Sequence, residues 1–147
     1  MADYFTNFSL ILKLPNEAAQ TLALELAQQA QSMHGEEKLA TFPAPLMEVV
    51  DDWQFQTEAQ DVQNGFGLWL HSSNGGVDAV CAFIQYLLQK FDPDGCVSFQ
   101  WSFDCSKPRI DAYGGGAAII TAKTIKSMGT GEWIQNHLAR LHAHTNN

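Results

Sequence analysis

Large apolar side chains fill every odd position of Val97-Ser98-Phe99-Gln100-Trp101-Ser102-Phe103-Asp104, and small or polar ones fill every even position. Such period-2 alternation marks a strand with one face in a core and the other turned to water or a partner. Phe8, Leu10, Leu12 and Leu14 alternate with Ser9 and Lys13 in the same way, giving a first strand that Pro15-Asn16 ends. Asn16 is a good N-cap and Glu17 suits the positive end of a helix dipole. Ala19, Leu22, Ala23, Leu26 and Ala30 then recur at helical spacing as far as His34-Gly35, a terminating pair.

The pattern weakens between Glu36 and Asp51, where Phe42-Pro43-Ala44-Pro45 breaks regular structure before a short helical turn around Leu46 to Val50. We read this stretch as a covering loop. Trp53, Phe55 and Thr57 alternate with Gln54, Gln56 and Glu58 and predict a second strand; Asp61 to Gly65 turn into a third, Phe66 to His71, which closes a hairpin. After the Ser72 to Gly76 break, Val77, Val80, Cys81, Ile84, Leu87, Leu88 and Phe91 mark a second helix. Asp92-Pro93-Asp94-Gly95 is a turn leading into the fourth strand. A fifth strand is expected over Ala117 to Ala122, and Thr130 can cap a last helix bearing Trp133, Ile134, His137, Leu138 and Leu141.

The predicted order is β-α-β-β-α-β-β-α. This is an α+β fold with a mostly antiparallel five-stranded sheet: a ferredoxin-like core of six elements, then an added hairpin strand and a C-terminal helix. Both main helices would lie on one face, and Lys123 and Lys126 would blunt the new sheet edge. Residues 1–147 form one domain, with 143–147 a frayed tail.

Composition agrees with a folded domain, since 46% of the 147 residues are apolar and 16% charged. No stretch approaches the roughly 20 apolar residues a membrane helix needs, and the N-terminal residues lack a basic region, so a soluble cytoplasmic protein is expected. Cys96 and Cys105 stand at opposite ends of one strand, too far apart to bridge, and Cys81 reads as a buried small hydrophobe. The net charge of −8 is unevenly placed: residues 1–104 carry 14 acids against three lysines, whereas residues 105–147 carry five bases against two acids. Such a field disfavours nucleic acid and membrane surfaces and favours a basic protein partner.

Three places invite chemistry. Trp69 and His71 should project from the sheet face opposite the core, where they are either an exposed aromatic contact point or, under the Glu36 to Asp51 loop, ordinary packed side chains. The acids Glu48, Asp51, Asp52, Glu58 and Asp61 cluster around the second strand and either pair with a basic partner or simply solvate the surface. The stretch from Asp104 to Gly116 gathers Lys107, Arg109 and Tyr113 with Gly114, Gly115 and Gly116, so it is either an anion cradle or a hairpin connection with a bulge. A Cys105 nucleophile activated by His71 is chemically conceivable. The histidines and cysteines show no metal-ligand spacing, and neither a metal nor a cofactor is expected. The favoured reading is an acidic, non-catalytic interaction module of the immunity or inhibitor kind, with Trp69, His71, Asp51, Asp52 and Glu58 as contacts. The alternative is a small-molecule or anion-binding domain, with an enzyme as one form of it, built on 104–116. Self-association through the fifth strand or the Trp-bearing face is a third possibility.

Overall fold

The computed structural model describes residues 2–33, 40–110 and 112–145. Its first strand, β1 (Tyr4–Leu14), buries Phe8, Leu12 and Leu14 and exposes Ser9, Ile11 and Lys13, as the alternation requires. Helix α1 (Glu17–Ser32) begins where Asn16 Oδ1 accepts from Ala19 N at 2.8 Å. Its buried face combines the small Ala19, Ala23, Ala27 and Ala30 with Leu26 and Gln20.

Phe42, Leu46, Val50 and Trp53 are all buried, so the covering loop, with α2 (Ala44–Met47) and a 3-10 turn (Val50–Asp52), plugs the core beside the second long helix. Residues 36–39 of that loop lie outside the described residues. The predicted second strand is corrected here. Trp53 and Phe55 are core anchors ahead of it, with ring centroids 4.9 Å apart and Trp53 4.9 Å from Phe83. The strand itself, β2 (Gln56–Ala59), starts only at Gln56, because both aromatics are drawn into the core before the chain joins the sheet. Asn64, at φ 64°, turns the chain into β3 (Phe66–Ser72), in the left-handed region that Asn tolerates.

Helix α3 (Val77–Phe91) buries Val80, Cys81, Ile84, Leu87 and Leu88, as its spacing predicts. The remaining elements are β4 (Cys96–Cys105), β5 (Gly114–Thr121), β6 (Ile125–Gly129) and α4 (Thr130–Thr145). The sheet has six strands rather than the expected five, in the order β2-β3-β1-β4-β5-β6, and every neighbouring pair is antiparallel. β6 escapes a pattern reading because its apolar residues, Ile125 and Met128, are three apart and exposed.

β5 also begins three residues earlier than the apolar run suggests. Gly114, Gly115 and Gly116 occupy consecutive ladder positions opposite Phe103, Ser102 and Trp101, so they form regular strand and not a bulge. A Cβ on Gly115 would run into the Trp101 carbonyl oxygen, and one on Gly116 into the Trp101 ring. α4 is helical through Thr145, so the tail expected from 143 is helical for its first three residues; 146–147 lie outside the description.

The inward residues of α1, α3 and the sheet belong to one core. Fully burying a side chain such as Phe55, Leu68 or Ile84 contributes roughly 1.5–3 kcal/mol. The core occupies one face of the sheet, and α1 and α3 leave the other uncovered.

Candidate functional site

Strand register decides which outward side chains meet on that open face. Ile11 stands opposite Trp69, which stands opposite Glu58; in the next row Ser9 faces His71, and His71 faces Gln56. Trp69 and His71, two residues apart on β3, stack with centroids 3.8 Å apart and planes 26° from parallel. Trp69 Nε1 donates to Ser9 Oγ at 2.9 Å, and His71 Nε2 lies 2.7 Å from Glu58 Oε2. The indole is thus braced from β1 and the imidazole from β2, leaving Ile11 49% exposed beside them. A braced aromatic pair loses little side-chain entropy on meeting a partner, which is the usual physics of an interface anchor.

The structure brings together Trp69, His71 and Glu58 from the predicted contacts and separates Asp51 and Asp52 from them. Asp51 is exposed on the 3-10 turn. Asp52 turns toward the start of α3, where its Oδ2 accepts from Ala79 N at 3.2 Å. Gly76, at φ 90°, sits at that helix's N-cap position and carries no capping side chain, and a Cβ there would crowd Asp52 O at 3.0 Å. Burial raises the Asp52 pKa above 3.8, with a smaller push from Asp78 and opposition from backbone donors at Ala79 and Asp78. Asp61 is also used internally, its Oδ1 accepting from Gln20 Nε2 at 3.1 Å. The acidic cluster is therefore a dispersed set. Ser9 and Ile11 are members of the face that sequence reasoning missed: their outward parity is visible in the alternation, but their pairing with β3 is not.

The 104–116 stretch takes a different form from an open cradle. Tyr113 Oη is 3.1 Å from Cys105 O and 3.2 Å from Lys107 O, so the phenol donates into its own loop. Gly115 N, the kind of amide a cradle would present, donates to Thr130 Oγ1 at 3.0 Å. Gly114 is at φ 135°, and Lys107 and Arg109 point to solvent as exposed residues. Asp111 lies outside the described residues.

Cys105 and His71 do not meet. Cys105 pairs with Tyr4 on one side of β1 and His71 with Ser9 on the other, about 16 Å along the strand and two strand spacings across. Their side chains also leave opposite faces of the sheet. Among the described residues no three His, Cys, Asp or Glu side chains gather as a metal-ligand set, and no helix is long and apolar enough to cross a membrane. His34, and the side chain of His144, lie outside the description.

No protein-family model matches the chain, and no curated protein or solved structure is detectably similar to it.

Proposed function

We propose that this chain is a non-catalytic protein-interaction module that binds a basic protein partner with the β2-β3-β1 end of its open sheet face. The carrying observation is the stacked Trp69–His71 pair, braced by Ser9 and Glu58 and flanked by exposed Ile11. Trp69 and Ile11 supply apolar contact area, and Glu58 supplies the charge that meets a lysine or arginine. The balance of 14 acids against three lysines over residues 1–104 steers a basic partner to this side of the molecule. Inhibition of that partner, in the manner of an immunity protein in the cytoplasm, is the biological role we attach to the site. We assign the βαββαβ part, whose strands run β2-β3-β1-β4, to the ferredoxin-like arrangement.

The 104–116 loop has less support as an anion site, because Tyr113 Oη and Gly115 N already have partners within the protein.

Affinity capture from a lysate of the source organism, with the wild type and Trp69→Ala as paired baits, tests the reading. The expected result is a basic protein retained by the wild type and lost from Trp69→Ala and Glu58→Lys, with both variants unfolding at nearly the wild-type temperature. Retention that ignores both substitutions would refute the assignment of this face, and so would recovery of no basic protein.

A further inference from the structure

The far end of the molecule carries a second uncovered surface. β6 passes into α4 without a connecting residue, Gly129 ending the strand and Thr130 starting the helix. Every residue from 130 to 143 is exposed. Helices of this length draw most of their stability from packing an apolar face, and this one is not laid against the core of its own chain. Yet its sequence has such a face. Trp133, Ile134 and Leu138 share one stripe and are 43–50% exposed.

That stripe continues onto the sheet. A concavity of about 270 Å³ joins Trp133 and Ile134 to Met128. A groove of about 250 Å³, nearly all apolar, extends from Met128 to Ile119 on the outward face of β5 and β6. The two lie side by side, so helix stripe and sheet groove form one continuous apolar surface.

Area points to the occupant. The chain exposes 9443 Å², whereas a compact monomer of 16.3 kDa exposes about 7,500 Å². The surplus of roughly 1,900 Å² belongs to the whole chain, and with α4 exposed along its length it is large enough to supply the roughly 1,000–2,500 Å² that each partner buries in an obligate homodimer. We propose that a second copy of this chain covers the surface. In a twofold dimer α4 of each copy lays its Trp133, Ile134 and Leu138 stripe in the β5–β6 groove of the other. This contact lies at the opposite end of the open sheet face from Trp69 and does not depend on it.

Sedimentation over about a hundredfold range of protein concentration tests the proposal on the full chain. The expected mass is twice 16.3 kDa for the wild type, falling to a single chain in Leu138→Glu, with loss of helical circular dichroism and a retained cooperative melt of the sheet core. Ile119→Lys, on the sheet side, is expected to give the same monomer and serves if the helix variant does not fold. A wild type that sediments as one chain at every concentration would overturn the proposal. So would a dimer that persists in both variants, or a monomer that assembles only with a different protein.

Discussion

Cys81 shows how one buried position controls a group's chemistry. Burial, with a smaller contribution from the charge of Asp78, pushes its thiol from the ordinary 9.0 up to about 12. At neutral pH it is a protonated, inert thiol inside α3. Cys96 is exposed and Cys105 partly exposed. A thiol reagent should therefore modify those two in the native protein and reach Cys81 only on unfolding, which mass spectrometry of labelled peptides will show. The same shift has a thermodynamic sign. Between about pH 9 and 12 the unfolded chain releases the Cys81 proton while the folded chain keeps it, so this contribution to stability is complete below that window and is lost as pH rises through it. Denaturant midpoints should fall on the alkaline side less steeply in Cys81→Ala than in the wild type.

At the scale of elements, α3 depends on a cap supplied from outside its own sequence. Gly76 provides the left-handed entry and Asp52, 27 residues before Ala79, provides the oxygen. Removing it in Asp52→Ala should cost about 0.5–2 kcal/mol, the usual value of a lost N-cap. Asp52→Asn keeps an acceptor and discards the charge. Because the folded protein raises the Asp52 pKa, its protonated form is favoured in the fold; that contribution is full below the unfolded value and lost as pH rises through the folded one. Urea midpoints at neutral pH should rank Asp52→Asn at or above the wild type and Asp52→Ala below both. The β4–β5 ladder is a second inter-element dependence, since Gly115 and Gly116 leave the space that the Trp101 carbonyl and ring occupy.

Over the whole molecule the open sheet face has two apolar ends separated by a polar band. Ile11 and Trp69 mark one end, Ile119 and Met128 the other, and Ser98, Gln100, Ser102 and Asp104 lie between. The ends should respond differently to salt. The proposed capture of a basic partner at the Trp69 end would rely on long-range attraction and should weaken as ionic strength rises. The proposed self-association at the α4 end would bury apolar surface and should be insensitive to salt or strengthened by sulfate. Measuring retention and sedimented mass across one sodium sulfate series separates the two surfaces.

The outward parity of Trp69 and His71, the Asn16 cap and the core stripes of α1 and α3 were legible because each rests on neighbours within a turn or a strand. Their periods, 2.0 and 3.6, are properties of the local backbone. What tertiary structure alone decided spans longer separations. Trp69 meets Ser9 across 60 residues, and Asp52 leaves the acidic cluster to serve a helix end. Trp53 and Phe55, which alternate like strand residues, join the aromatic core instead, and a poorly patterned segment becomes β6 because β5 offers it a free edge. Strand order and register bring such residues together, and no local spacing encodes either, so the candidate face could be listed by parity but assembled only by the fold.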